Sequence, residues 1–298
     1  MIKTVLGYIE DEQLGFTHCH EHIWISGSLP ETCPVQPLND YSASLKELRA
    51  FRAVGGNSIV DCNPPKAGGD FEYLKQLSLS SGVNIIASTG YHRACFYSDY
   101  DLDKSVEYFI NQYSKEIEEG GGIIKMAVES CGIDKKNAPK HIAAALTGQK
   151  YDLPVIMHVE KECDLQAILD FYDNLGLKPE RLILCHCDRM IADLNEHIKA
   201  LERGVYLEYD TIHRLKYHDN EQELMIIKTM TDCYPDQILL GLDSTRQRLG
   251  SYGGDTPLTY LSEIFIPLMK EKGISTETIE KLMIYNPRKA LSTKEEIL

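Results

Sequence analysis

The stretch that decides the fold covers residues 153–187 and reads LPVIMHVEKECDLQAILDFYDNLGLKPERLILCHC. Two short apolar runs, at 155–159 and 182–187, flank a segment at 164–175 whose apolar residues have helical spacing. Runs of this kind, rich in Val, Ile and Leu, are typical of strands that are buried on both faces. Strand, helix and strand in this order predict two parallel strands that are joined by a helical crossover.

The same alternation extends outward to both ends of the chain. Helix-period segments separate eight strand candidates, at 14–20, 58–62, 84–89, 123–128, 155–159, 182–187, 205–209 and 238–243. Eight is the number of parallel strands that closes into a barrel. No linker or low-complexity segment divides the chain, so we expect an α/β protein with one (β/α)8 TIM-barrel domain over residues 1–298.

Composition restricts the partners and the compartment. The chain has 298 residues, of which 31 are basic and 45 acidic, and its formal net charge is −14. Such a surface repels nucleic acid and anionic membranes, although a few local cations can still bind one small anionic substrate. The nine cysteines are scattered, the first residues contain no apolar run of signal-peptide length, and no stretch approaches the length of a membrane span. We therefore expect a cytoplasmic protein that acts on a small molecule.

Residues that can bind a metal ion stand at the ends of five strand candidates, where barrel enzymes place their active sites. They are His20 and His22, Lys125, His158, His186 and Asp243. Strand side chains alternate between faces, so His20 and His22 point together into the barrel mouth and can hold one ion. His158 and His186 can hold a second ion. Imidazole combined with carboxylate suits Zn²⁺ and related divalent ions.

Lys125 does not fit this group as an ammonium, because two dications would repel it strongly. It fits only if it is neutralised or if CO₂ has carboxylated it. The resulting carbamate carries one negative charge and two oxygens, so it can bridge two ions. In the carboxylated form, Lys125 could therefore lie between two divalent metal ions, most simply zinc.

These residues carry a family resemblance. The stretch at 15–22, GFTHCHEH, resembles the Phe-Thr-x-x-His-Glu-His signature of the phosphotriesterase family in the amidohydrolase superfamily. The similarity continues at GIIK (122–125), His158, CHCD (185–188), GLD (241–243), TGYH (89–92), SYGG (251–254) and Asn286-Pro287.

The resemblance implies an amidohydrolase-like barrel and a role for each ligand residue. His20, His22 and Asp243 bind the buried ion, His158 and His186 bind the more exposed ion, and carboxylated Lys125 bridges the two together with a hydroxide. The hydroxide attacks the substrate and Asp243 accepts its proton, so Asp243 and Lys125 are the predicted catalytic residues. The resemblance alone also implies a homodimer.

The residues that follow strands three, seven and eight indicate the kind of substrate. Tyr91 and His92 end the third strand, and either substrate contact or packing fits them. Arg214, Lys216, Arg246 and Arg248 follow strands seven and eight, where barrels often bind phosphate. Similar loops occur in family members that open sugar lactones, some of them phosphorylated. We predict a lactonase whose substrate has an anionic tail that is bound by Lys216 and Arg246.

Other functions remain possible at this point. A phosphotriesterase or a carboxylesterase would use the same metal ligands. A metal-dependent nuclease of the His-x-His barrel type is a further alternative, but Lys125 on strand four and the net charge of −14 argue against it.

The remaining histidines and cysteines are predicted to be structural or peripheral. His18 is expected to be a hydrogen-bonded histidine of the barrel core, while Cys185 and Cys187 are expected to pack beneath the helices. The last group, on helical or loop segments, is expected at the surface: His141, His197 and His218.

Overall fold

The computed structural model describes residues 1–31, 33–98, 103–190 and 193–293. Its main sheet has eight parallel strands in chain order. A small antiparallel hairpin, β1 (Ile2–Thr4) and β2 (Gly7–Ile9), precedes that sheet. The parallel strands are β3 (Thr17–Glu21), β4 (Ser58–Asp61), β5 (Asn84–Gly90), β6 (Gly121–Val128), β7 (Val155–Val159), β8 (Leu182–Cys185), β9 (Tyr206–Tyr209) and β10 (Ile238–Leu240).

Helices alternate with the parallel strands, and the last three follow the final strand. They are α1 (Tyr41–Ala53), α2 (Phe71–Ser81), α3 (Val106–Glu119), α4 (Ala138–Tyr151), α5 (Leu165–Asn174), α6 (Leu194–Glu202), α7 (Asn220–Cys233), α8 (Ile266–Glu271), α9 (Thr276–Glu280) and α10 (Asn286–Leu291). Most of them begin with an Asp or Ser whose side chain accepts a backbone N–H of the first turn, as Asp164 does for Ala167. The acidic residues of this chain thus help to define where its helices start.

The sheet curves into a nearly closed barrel, as the sequence predicts. At the closing edge the N–H of Asp243 donates to the carbonyl of His20 at 3.0 Å. Gly241 allows this approach, since a Cβ there would come within 2.8 Å of the His20 carbonyl oxygen. The backbones of the first and last barrel strands therefore lie close together, and so do the residues that follow them.

Two apolar layers hold the barrel. Inside it, buried Val60, Ile86, Ile156, Ile183 and Leu239 fill the space between the strands. A larger core lies between the outer strand faces and the helices. Because the interior below the mouth is filled, polar side chains at the carboxyl ends of the strands are gathered on one face.

Strand ends and the chain terminus differ in detail from the sequence-based expectation. Strand eight was predicted to continue to Asp243, but β10 ends at Leu240 and Asp243 lies in the following loop at a φ of 45°. His186 similarly follows β8 at a φ of 60°. The sequence predicts one extra helix and a charged end over Thr276–Leu298, whereas the structure has two helices there, α9 and α10, which a π-helical turn joins; residues 294–298 lie outside the described part. No helix within the described ranges is long and apolar enough to cross a membrane.

Candidate metal centre

His20, His22 and Asp243 meet at the closing edge of the barrel. One ligand atom from each lies within 4.8 Å of the others, and all three side chains are buried. His22 Nε2 is 3.2 Å from Asp243 Oδ1. Two imidazole nitrogens and a carboxylate oxygen at this spacing form a donor set that suits Zn²⁺.

His158 and His186 form a second pair beside the first group. His158 Nδ1 and His186 Nε2 face each other at 2.8 Å, and both rings are buried. The ring centroids of His186 and His20 are only 4.8 Å apart, so the two groups share one site. The structure thus brings together the five predicted ligands from strand ends one, five, six and eight.

Carboxylates orient the opposite nitrogens of these rings. His158 Nε2 lies 2.9 Å from Glu160, and His186 Nδ1 lies 2.6 Å from Asp210. A neutral ring that donates from one nitrogen keeps a lone pair on the other, which here points into the site. Burial is the main cause that lowers the pKa of His158 to about 4 and the pKa of His186 well below its usual value. Both rings are therefore neutral, the form that binds metal.

Asp210 also contacts a ligand of the other group. His20 Nδ1 lies 3.0 Å from Asp210 and 2.7 Å from Glu208, and both acids are fully buried on or beside β9. Burial opposes a charge on His20, but its acidic neighbours, above all Cys62 and Asp210, outweigh it and raise the pKa of the ring. A cation at His20 Nε2 would satisfy the same negative surroundings as a proton.

Lys125 on β6 is fully buried beside this cluster. Its Nζ lies 3.4 Å from His20 Nε2 and 3.8 Å from Cys185 Sγ. Burial opposes the charged form, but the acidic groups of Cys185, Cys62, Glu208 and Asp210 overcome that effect and raise the pKa of Lys125. A raised pKa disfavours the neutral amine that reacts with CO₂. Carboxylation of Lys125 therefore needs nearby cations that offset the stabilisation of the ammonium form by its acidic neighbours.

Two arginines bind the remaining oxygen of Asp243. Arg214 Nη1 lies 2.6 Å and Arg189 Nη2 3.1 Å from Asp243 Oδ2, and Arg214 also donates to the Asp243 carbonyl at 2.7 Å. Although burial favours protonation, Arg214 foremost, and then His22 and His186, hold the pKa of Asp243 well below its usual value. Asp243 is thus ionised, with Oδ1 free to face His22. The contact from Arg189 was not predicted from the sequence.

A cavity of about 150 Å³ opens above these residues. Its floor includes His22, His158, His186 and Asp243, and its wall includes His92. The four cations that also line it are Arg93, Arg189, Arg214 and Lys216. A neighbouring cleft of about 530 Å³ shares three of these cations and adds Arg246 and Arg248. The mouth is positively charged although the chain as a whole is acidic.

The four predicted loop cations divide into two pairs. Arg214 is bound to Asp243, and Arg248 is buried and donates to the carbonyls of Ile212 and His213. Lys216 and Arg246 have no carboxylate partner among the described residues. Lys216 Nζ lies over the ring of Tyr217, and Arg246 donates to the Pro37 carbonyl. Only the second pair has charge available for a ligand.

The two residues predicted at strand three take different roles. His92 lines the cavity, and burial keeps its pKa well below the usual value. Tyr91 is fully buried between Tyr97 and Phe109, and its hydroxyl donates to Gln112 at 3.1 Å. Tyr91 does not line the cavity, so packing, and not substrate contact, is the one of its two possible roles that the structure shows.

Some structural predictions need correction. His141, His197 and His218 are buried rather than at the surface, because each ring faces inward and contacts a buried polar group: Tyr172, Tyr209 and Glu223 respectively. Cys187 packs in the outer core as predicted, but Cys185 lies in the barrel interior. His18 is buried and hydrogen-bonded as expected, but its ring packs against Phe16 and Phe51 on the helix side of the barrel wall and not in the barrel interior.

Comparison with known proteins adds the family. The sequence profile described as "Phosphotriesterase family" matches residues 1–291. The chain is 30% identical to a phospho-furanose lactonase of Mycoplasmopsis synoviae, covering 99% of this chain and 92% of that protein. It is 26% identical to an N-acetyltaurine hydrolase of Xenopus tropicalis, with 98% of each covered. A lactonase from Listeria monocytogenes has the same fold, with a TM-score of 0.91, 22% identity and 99% of both chains covered. The chain therefore belongs to the phosphotriesterase family and is a hydrolase built on a TIM barrel.

Proposed function

We propose that this hydrolase opens the ring of a small sugar lactone that carries an anionic tail, most simply a phosphorylated furanose lactone. The observation that carries this proposal is the cationic cleft beside the candidate metal centre, where Lys216 and Arg246 lack carboxylate partners among the described residues. The name of the Mycoplasmopsis synoviae relative specifies a substrate of this kind.

The metal centre in this proposal has two divalent ions, with zinc as the simplest choice. His20, His22 and Asp243 would hold one ion, His158 and His186 the other, and carboxylated Lys125 would bridge them. The donor set supports this assignment, because His158 Nδ1 and His186 Nε2, the ring nitrogens that face away from the orienting carboxylates, lie 2.8 Å apart. When bound, two such ions supply a water ionised near neutral pH and an electrophile for the substrate carbonyl.

Asp243 receives the proton released during ring opening. Its ion pairs with Arg189 and Arg214 keep it ionised, and an acceptor must be ionised to take a proton. The same ion pairs make a protonated Asp243 unfavourable, so Asp243 passes the proton on to the ring oxygen, which leaves the acyl carbon as a hydroxyl group.

The walls of the cavity orient the substrate. His92 and Arg93 line the side formed by the loop after β5, while Lys216 lines both the cavity and the outer cleft. A lactone whose carbonyl lies over the candidate ligands can therefore extend its tail past Lys216 toward Arg246. A phosphotriester or aryl ester can use the same floor, but it lacks a tail that these cations would bind.

A hydrolysis screen with metal-replete protein tests the proposal. The panel contains furanose lactones with and without phosphate, N-acetyltaurine, phosphotriesters and aryl esters. The phosphorylated lactones should have the highest kcat/KM. A higher kcat/KM for a neutral ester or for N-acetyltaurine would contradict the lactone assignment, while loss of all hydrolysis on metal removal would support the metal centre.

A further inference from the structure

The closing edge of the barrel has little direct backbone pairing at the height of the site. In the parts of the chain that the structure describes, the N–H of Asp243 and the carbonyl of His20 make one backbone hydrogen bond there, at 3.0 Å. No strand ladder joins β3 to β10. Asp243 must nevertheless be held accurately, because it stands across this edge from His20 and His22.

We propose that Glu21 is a positioning residue that holds Asp243 in register with the two histidines on β3. Glu21 is fully buried and lies between them in sequence, so its side chain leaves the strand on the opposite face. Its Oε1 accepts the N–H of Leu242 at 3.0 Å, and its Oε2 accepts the N–H of Ser244 at 3.1 Å. One carboxylate thus binds the backbone on both sides of Asp243.

The conformation of Asp243 explains why such a clamp is needed. Its φ of 45° lies in the left-handed region, which residues with a Cβ adopt rarely. With the amides before and after it bound to Glu21, the backbone cannot relax to an ordinary φ without leaving two buried N–H groups unpaired. The direction of the Asp243 side chain toward His22 therefore depends on Glu21.

His18 supports the carboxylate from within the barrel wall. Its Nδ1 donates to Glu21 Oε1 at 2.8 Å, and its ring packs against Phe51 with centroids 4.6 Å apart. His18 touches none of the candidate ligands through a hydrogen bond that the structure describes. It acts on the site only by orienting Glu21.

A second glutamate in the chain makes the same kind of clamp elsewhere. Glu47 on α1 is buried and accepts the N–H groups of Ser251 and Leu258, at 2.6 and 3.0 Å. These amides belong to the later part of the loop after β10, beyond the candidate ligands. Glu47→Gln is therefore a matched control, which removes an equivalent backbone clamp without touching Asp243.

The inference rests on the metal centre of the proposed function, so the experiment measures metal binding directly. Metal-free wild type, Glu21→Gln and Glu47→Gln are titrated with Co²⁺ and followed by visible absorption. Glutamine keeps one acceptor oxygen but turns an NH₂ group toward the other backbone N–H. We expect Glu21→Gln to bind one of its two ions about 10- to 100-fold more weakly, the usual effect of losing a group that orients a ligand. The spectrum of its remaining ion should match that of His22→Ala and not that of His186→Ala.

The outcomes separate the two proposals. Glu47→Gln should lose thermal stability yet bind both ions as the wild type does. Equal affinity in Glu21→Gln and wild type, or an equal loss in Glu47→Gln, would overturn the role of Glu21 alone. A wild type that binds no ion would overturn the metal centre and the positioning role together.

A milder variant covers the case in which Glu21→Gln does not fold. His18→Leu removes the donor to Glu21 and retains an apolar side chain against Phe51. We expect the same ion to be weakened about 3- to 10-fold, with the N–H groups of Leu242 and Ser244 exchanging hydrogen faster in the metal-free protein. Unchanged exchange and unchanged affinity in His18→Leu would also refute the clamp.

Discussion

Asp210→Asn is the sharpest single test of how the candidate metal centre is organised. Asp210 is fully buried and contacts one ring of each ligand group, His186 Nδ1 at 2.6 Å and His20 Nδ1 at 3.0 Å. It also accepts the backbone N–H of His186 at 3.1 Å. Although burial opposes its charge, the two histidines, His186 foremost, hold the pKa of Asp210 well below its usual value.

The expected magnitude follows from these contacts. Asparagine keeps one acceptor oxygen for one ring but presents an NH₂ group to the other, so one charge-assisted hydrogen bond is lost. Such a bond contributes about 1.5–3 kcal/mol, which corresponds to roughly 10- to 100-fold in an equilibrium constant. Losses of metal affinity after removal of a carboxylate that orients a ligand histidine fall in the same range. We therefore expect Asp210→Asn to weaken metal binding by that factor and to lower hydrolysis at limiting metal.

The measurement is a metal titration of metal-free protein, with hydrolysis assayed at each step. Asp232→Asn on α7 is the control. Asp232 is exposed, and its ion pair with Lys228 is long, at 4.0 Å, and lies at the surface. Excess metal should restore most of the activity of Asp210→Asn, because the ligands themselves are intact. An affinity within about threefold of the wild type for both ions would refute the reasoning that Asp210 orients the rings.

Four further predictions concern the bridge, the substrate tail, the pH dependence and the assembly. Lys125→Ala should lose most activity, with partial recovery in short carboxylic acids that replace the carbamate; full activity without them would disprove the bridge. Arg246→Ala should remove the preference for phosphorylated over plain lactones, a change of about 10- to 100-fold in kcat/KM, and leave neutral esters nearly unaffected; a retained preference would make this cation irrelevant to the tail. Burial lowers the pKa of His197 to about 4 from an ordinary 6.5. Between these two pH values the unfolded chain binds a proton at this histidine that the folded chain does not bind. The free energy of unfolding therefore falls as the pH falls, by up to about 1.4 kcal/mol per pH unit. His197→Asn should reduce that slope in denaturant titrations at pH 7 and 5, and an unchanged slope would assign it to other groups. Sedimentation at micromolar concentration should show a homodimer, and a monomer would contradict that expectation.

The fold and the gathering of the candidate ligands were predictable because both depend on short-range patterns. Apolar strand runs alternate with helical segments, and ligand residues stand where runs such as 155–159 end. Parallel strands in a barrel bring those ends to one face, so no long-range information was needed. The left-handed backbone conformations of His186 and Asp243, beyond the ends of their strands, were not predictable, since they depend on contacts that form when the barrel closes.

The groups that orient the ligands were not predictable from the sequence. Asp210 and Glu208 are ordinary acids near the end of one strand, and their contacts reach rings on β3 and after β8. Arg189 follows a ligand strand but joins Asp243, which is 54 residues away in the chain. The prediction that His197 lies at the surface was wrong for a related reason. A polar residue on a helix usually indicates the surface, and its buried partner Tyr209 is known only from the structure.

The cations that line the mouth come from separate loops, namely those after β5, β8, β9 and β10, whereas the candidate metal ligands stand at or just beyond strand ends. This separation makes substrate choice modular. Loops can exchange residues such as Lys216 or Arg246 without disturbing the barrel that presents the reactive floor. Transplanting the segments that follow β9 and β10 between relatives should therefore transfer tail preference as a unit, and it offers a route by which one scaffold diversifies among esters, lactones and amides.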